Sequence, residues 1–292
     1  MNNTILSHTI ADTTMSDQAD ISLIDIGVNL TNQRFDKDRE DVILRSQQAK
    51  LSHLLITGTS VFESQKALAL CKQYQHTFPN YLYCTAGVHP HDADHVCDDY
   101  LDKLKALADN EQVKAIGECG LDFNRNFSAP AQQQKVFAEQ VVLAAELNMP
   151  LFLHQRDAFE PWFKTLSPYV GKIPAMITHC FTGTKDELIQ CLAADMYVGI
   201  TGWLCDERRG QALRDIVGLI PLNRLLIETD APYLTPRTIR PKPKSSRNEP
   251  SYLPYILKEI ANITGIDQAE IARQTRMNAQ NVFNLPAIKE SF

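Results

Sequence analysis

The chain has 292 residues, 44% apolar and 22% charged, with a formal net charge of -6; these are the proportions of an ordinary globular protein and exclude disorder of the whole chain. No apolar stretch approaches the roughly 20 residues needed to cross a bilayer, so a transmembrane helix is excluded. Nor does the total charge advertise a nucleic-acid binder.

Residues 1–20, M-N-N-T-I-L-S-H-T-I-A-D-T-T-M-S-D-Q-A-D, lack the cationic start and apolar centre of a signal peptide. They are expected to form a flexible polar leader, with Met15 as an alternative start, ahead of one domain over 21–292. From there apolar, often β-branched runs recur at Leu23 to Val28, His53 to Thr57, Leu82 to Gly87, Val113 to Gly117, Pro150 to Leu153, Ala175 to Thr178, Met196 to Ile200 and Arg224 to Glu228. Spacings of roughly 20 to 40 residues leave room for a helix between each pair.

The segments between them read as helices. Over Ala131 to Leu147, Val136, Phe137, Val141, Leu143, Ala144 and Leu147 form an apolar stripe, and Pro150 starts a strand after Asn148 ends that helix. Thr184 and Glu187 give a T-x-x-E cap before Leu188 to Ala194. Pro254 to Ile263 and Gln268 to Phe283 predict two closing helices. The alternation argues for an α/β fold, a (β/α)8 TIM barrel, with a doubly wound open sheet as the runner-up.

Four of the runs close on a group able to ligate metal or move a proton: K-A-I-G-E at Glu118, P-L-F-L-H at His154, A-M-I-T-H at His179 and R-L-L-I-E-T-D at Asp230. One such residue is more often a strand cap than a site. Four point to a shared one, because parallel barrel strands present their carboxyl ends on one face, whereas an open sheet concentrates its site at one switch point. Imidazole and carboxylate together suit Zn, Mn, Fe or Mg.

Seven cysteines, an odd number with no C-x-x-C pair, argue against a disulfide framework and a zinc ribbon and for reduced thiols in the cytoplasm. Cys119 and Cys180 follow Glu118 and His179, and strand alternation predicts that both point away from the site. Arg237 to Arg247 carries Arg237, Arg240, Lys242, Lys244 and Arg247 with no acid among them. With Arg208 and Arg209 it offers a phosphate-contacting surface; it reads equally well as a solvated Pro/Ser-rich connector.

These residues also carry a family pattern. From about Asp25 to Phe283 the chain resembles the TatD-type deoxyribonucleases, metal-dependent nucleases on an amidohydrolase-like barrel, through A-G-V-H-P-H (Ala86 to His91), I-G-E-C-G-L-D-F (Ile116 to Phe123), L-H-Q-R-D-A (Leu153 to Ala158), T-H-C-F-T-G-T (Thr178 to Thr184), E-T-D-A-P-Y-L (Glu228 to Leu234) and R-N-E-P (Arg247 to Pro250). The resemblance implies Glu118, His154 and His179 as metal ligands and Asp230 as ligand or proton acceptor, with Glu118 and Asp230 the catalytic pair. The chemistry agrees: one carboxylate and two imidazoles leave room for a phosphate oxygen and a water whose pKa the metal lowers, and Asp230 can take that water's proton. One departure stands out. Most relatives open with D-x-H-x-H, but D-I-G-V-N puts Gly27 and Asn29 at the histidine positions, as in a branch of the family with the same G-V-N-L-T opening. A site poorer in imidazole favours Mg2+ or Mn2+ over Zn2+ and puts a second metal in question.

Asn29, His89, Arg125 and Arg156 are candidate substrate contacts, with Arg240, Lys242 and Lys244 on the basic stretch. Pro90 fixes a bend that predicts only one histidine of His89-Pro90-His91 at the site, His89 being a phosphate or water contact or else a satisfied loop histidine. Asp122 and Asn124 stand on the fourth βα loop beside Arg125, and Trp203 can stack on a base if exposed. The reading is a cytoplasmic, monomeric, Mg2+-dependent ester hydrolase attacking single-stranded DNA or RNA from the 3′ end, with no membrane partner; direction and polarity follow from the resemblance alone. The rivals are an amidohydrolase of a small cyclic amide or lactone and a metal-depleted, non-enzymatic binding barrel.

Overall fold

Each run becomes a strand in the computed structural model, which describes residues 22–287; the expected leader and Met15 lie outside the described residues. The strands are β1 (Leu23–Val28), β2 (Leu51–Ile56), β3 (Leu82–Ala86), β4 (Val113–Asp122), β5 (Leu151–Arg156), β6 (Met176–Thr178), β7 (Tyr197–Ile200) and β8 (Leu225–Ile227). They pair in parallel in chain order, and a bridge between Val28 and Ala231 brings the last back to the first. Closure is made by donated protons. The Asn29 amide donates to Ala231 O at 2.7 Å and the Asp230 amide to Gly27 O at 2.8 Å, while the buried Asp25 carboxylate accepts the Thr229 N–H at 2.9 Å and its hydroxyl at 2.5 Å. The fold is therefore the (β/α)8 barrel and not the open sheet.

Helices α1 (Arg39–Gln48), α2 (Val61–Tyr74), α3 (Tyr100–Ala108), α4 (Pro130–Glu146), α5 (Phe159–Leu166) and α6 (Lys185–Ala193) fill the first six connections, and α8 (Leu253–Thr264) and α9 (Gln268–Phe283) follow β8. The cap before α6 is reciprocal, with Thr184 Oγ1 accepting the Glu187 N–H and Glu187 accepting the Thr184 N–H. Between β7 and β8 the expected helix shrinks to one turn, α7 (Gln211–Arg214), among 3-10 turns; Gly202, Gly210, Gly218 and Pro221 interrupt any longer run there. Inside the barrel, Ile24, Ile26, Phe152, Ile177 and Leu226 pack with Val282 and Phe283 of α9. That core comes mostly from early strand positions, which leaves the carboxyl ends for chemistry.

Two strands run further than their apolar patterns. β4 continues to Asp122 and β5 to Arg156, paired through Gly120↔His154 and Asp122↔Arg156. Period-two hydrophobicity stops at Gly117 because the extension carries polar side chains. It is possible only with glycine at 120, where φ is +150° and a Cβ would fall 1.9 Å from His154 O. This ladder carries Glu118, Asp122, His154 and Arg156.

Candidate active site

The strand carboxyl ends open into one cavity of about 910 Å³, lined by Glu118, His154, His179 and Asp230 together. At its floor three imidazoles converge on a single oxygen. Glu118 Oε1 lies 2.8 Å from His154 Nδ1, 3.0 Å from His179 Nε2 and 3.3 Å from His89 Nε2. Burial alone would raise the Glu118 carboxyl, but the His179 and His89 rings hold it well below the usual range. His179 is raised well above the ordinary imidazole value: burial opposes its charge, and Glu228 and Glu118 overcome that. The donor set suits a divalent ion: ligand atoms of His89, Glu118 and His154 lie within 4.8 Å of one another, His179 Nε2 faces the same carboxylate oxygen, and His154 Nε2 is buried without a hydrogen bond, 3.6 Å from Asp122 Oδ2.

His89 and His91 both line the cavity, which corrects the expectation that Pro90 would turn one away. Pro90 instead opens a 3-10 turn, Pro90–His95, capped by His89, and the two rings meet edge to face with centroids 4.2 Å apart. His91 Nε2 sits 2.6 Å from Asp122 Oδ2, and Asp122 Oδ1 accepts the backbone N–H of Asn124 and Arg125 at 3.0 and 2.8 Å. Asp122 thus orders the rim of the fourth loop. His89 Nδ1 accepts the His91 N–H at 3.1 Å, so the hydrogen-bond network assigns its proton to Nε2. Burial keeps this ring neutral, pushing it down to about 4. Its chemistry is that of a neutral N–H donor facing the cavity.

Asp230 stands after β8 in the left-handed region, at φ 53°, and its Oδ1 accepts from Asn29 Nδ2 at 2.8 Å. Burial pushes its carboxyl up to about 7, where it can exchange a proton at neutral pH. Glu228, two residues earlier and unassigned by sequence reasoning, lies 3.0 Å from His179 Nδ1; it is fully buried behind the cavity that Asp230 lines. Cys119 is buried as expected, but Cys180 lines the cavity. Its φ of 46° breaks the strand alternation on which the opposite expectation rested.

Arg125 and Arg156 line the cavity; Arg240, Lys242 and Lys244 are not among its lining residues. Arg240 turns its guanidinium back onto Arg237 O and Ile239 O, at 2.7 and 2.8 Å, and the two lysines are exposed. Trp203 is half-buried and carries two cations, with Arg209 Cζ 4.4 Å and Arg156 Cζ 5.2 Å from its ring centroid. Buried Asp206 gathers Arg208 and Arg209 at 3.1 and 2.9 Å, with Arg237 at 3.8 Å. Phe127 and Tyr233, 62% and 49% exposed, stand on the cavity wall. The R-N-E-P motif proves structural: Arg247 bridges Asp38 and Glu249, each at 2.7 Å, and Asn248 Nδ2 donates to Thr229 O at 2.9 Å.

A family model described as TatD related DNase matches residues 24–284. A 3′-5′ ssDNA/RNA exonuclease TatD from Erwinia tasmaniensis is 53% identical over 263 residues, covering 90% of this chain and all of that protein. Among solved structures, a TatD family hydrolase from Entamoeba histolytica superposes with a TM-score of 0.83 at 28% identity, over 90% of this chain and 98% of that one. A TatD homologue from Escherichia coli gives 0.81 at 25%, over 91% and 100%. The barrel, its strand-end site and these similarities agree: the chain belongs to the TatD related DNase family.

Proposed function

We propose that the protein is a metal-dependent nuclease that removes nucleotides from the 3′ end of single-stranded DNA and RNA. The observation that carries this reading is the meeting of three imidazoles on Glu118 Oε1 inside a cavity walled by arginines and exposed aromatic rings. The relative named as a 3′-5′ ssDNA/RNA exonuclease supports the substrate and the direction.

On this reading Glu118, His154 and His179 hold the ion, with Asp230 as fourth ligand or proton acceptor, and a ligand set with as many carboxylates as imidazoles favours Mg2+ or Mn2+. A divalent ion there supplies Lewis acidity and lowers the pKa of a water. The protein's own groups do the rest. Asp230 takes the attacking water's proton at Oδ2 while Asn29 holds Oδ1. His89 Nε2–H donates to a non-bridging phosphate oxygen as charge builds there. Arg125, Arg156 and Arg209 hold the backbone phosphates, and Phe127 and Tyr233 offer faces on which unpaired bases stack. All seven cysteines are free thiols, which supports a reducing compartment.

The lactonase and organophosphorus hydrolase barrels that superpose on the chain are 13% and 12% identical and share only the fold. The deciding experiment is a nuclease assay titrated with Mg2+ and Mn2+ on end-labelled single strands, beside a panel of cyclic amides and lactones. Metal-dependent release of 3′ nucleotides is expected; turnover of the cyclic substrates with intact strands would overturn the reading.

A further inference from the structure

Glu228 follows the last residue of β8 and is 0% exposed. A buried carboxylate is costly unless each oxygen is satisfied, and here the two oxygens serve the consecutive residues His179 and Cys180. Oε2 lies 3.0 Å from His179 Nδ1, and Oε1 accepts the backbone N–H of Cys180 at 2.6 Å. Space for the carboxylate comes from two glycines. A Cβ on Gly27 of β1 would fall 2.3 Å from Oε2, and one on Gly199 of β7 would fall 2.6 Å from Oε1. β7 and β1 flank β8 in the barrel, so the carboxylate sits in a slot with one glycine on either side.

We propose that Glu228 is the positioning residue of the metal centre: seated between Gly27 and Gly199, it accepts the His179 Nδ1–H and leaves Nε2, facing Glu118, as the lone pair that binds the ion. This rests on the reading of His179 as a ligand. A carboxylate on the far nitrogen of a ligand histidine fixes its tautomer and ring plane and makes the near nitrogen more basic. Gly27 and Gly199 thus bracket the Glu228 carboxylate, and a Cβ at either position would meet it first.

The test is calorimetric titration of Mn2+ into the metal-free full chain and into Glu228→Gln, Gly27→Ala, their double variant and His179→Ala, with thermal unfolding of each. Glu228→Gln keeps the volume and removes the charge, and weakens Mn2+ binding by roughly ten- to hundredfold. Gly27→Ala produces a comparable loss by pushing the carboxylate aside, and the double variant is no weaker than the worse single one, because both changes act through one contact. Parental Mn2+ affinity in both single variants, with binding lost in His179→Ala, overturns the role of Glu228 while the site stands. Parental affinity in His179→Ala overturns the site and the proposal together. Should the variants unfold, imidazole 15N shifts of His179 in the Mg2+-loaded parent decide: a proton on Nδ1 supports the bracket, and a proton on Nε2 overturns it.

Discussion

Arg156 and Arg209 are the cations seated on Trp203 at the cavity wall, and replacing both with Met keeps their apolar stems while removing their charge. Each phosphate contact on a single strand contributes about 0.7 to the slope of log affinity against log salt. Two contacts contribute about 1.4, so between about 50 and 200 mM salt, a fourfold change, the parent's KM should rise about sevenfold more than the double variant's. Initial rates on a 3′-labelled oligonucleotide at saturating Mg2+, measured across that range, read the difference directly. Turnover at saturation should stay within about a factor of two, because contacts equal in ground and transition state alter KM and leave kcat. A second variant sharpens the test. Arg240→Ser, Lys242→Ser and Lys244→Ser together change groups outside the cavity lining, and should keep the parental slope. Equal slopes in the parent and the Arg156/Arg209 variant would refute the reasoning, and a slope flattened only in the triple variant would put the strand on the basic loop.

Removing a ligand and removing a donor should separate cleanly: His154→Ala should lose Mn2+ binding in calorimetry along with cleavage, whereas His89→Gln should keep Mn2+ affinity while kcat falls by roughly ten- to a hundredfold or more. Titration of the metal-free parent should find one tight divalent site, since Gly27 has no side-chain ligand atom and Asn29, whose Nδ2 donates to Asp230 Oδ1, has only a neutral oxygen to offer; two tight equivalent sites would contradict this. Arg247→Ala should cost about 2 to 4 kcal/mol in urea unfolding at neutral pH, since it strips Asp38 and the nearly buried Glu249 of a shared guanidinium. The pH dependence has a definite sign: Arg247 first, against the cost of burial and with help from Arg45, holds the Asp38 carboxyl down to about 2, so its stabilisation is complete above the unfolded value near 4 and is lost as pH falls from there toward 2. The gap between parent and variant should narrow across that window, and a gap of constant size would mean the Asp38 pair contributes nothing.

The strand starts and the helix periods were legible because burial writes itself into apolar spacing. Gln268–Phe283 is a helix with the predicted bounds, and Leu23–Val28 a strand with the predicted bounds. What period-two logic missed lies where the backbone leaves ordinary strand geometry. Cys180 at φ 46° turns into the cavity, and Gly120 lets β4 run on as a polar ladder toward Asp122. The four strand-end residues could be grouped because each ends an apolar run. Glu228 escaped notice for the opposite reason: its partners are the His179 ring and two glycines on other strands, and nothing local in E-T-D announces a contact made across the barrel. The R-N-E-P segment shows the converse, a motif whose charges suggest substrate but whose partners are Asp38, Glu249 and Thr229 O.

Charge sets a last constraint on how an acidic chain meets a polyanion. The cavity gathers Glu118, Asp122 and Asp230 around its histidines, with Glu228 buried behind His179, and a phosphate entering that field would be repelled at the point where it must react. Neighbouring cations are already partly committed: Arg209 gives its Nε to Asp206, Arg156 donates to Thr182, and Lys66 is paired with Glu63. These arginines can orient a backbone at the cavity wall, but the ionic partners of Glu118 are His89, His154 and His179. On the proposed reading the positive charge at the reacting phosphate must therefore arrive with the divalent ion. Substrate affinity at the reacting end is then linked to metal occupancy, whereas the salt-dependent affinity of the trailing strand belongs to Arg125, Arg156 and Arg209 and persists without the ion.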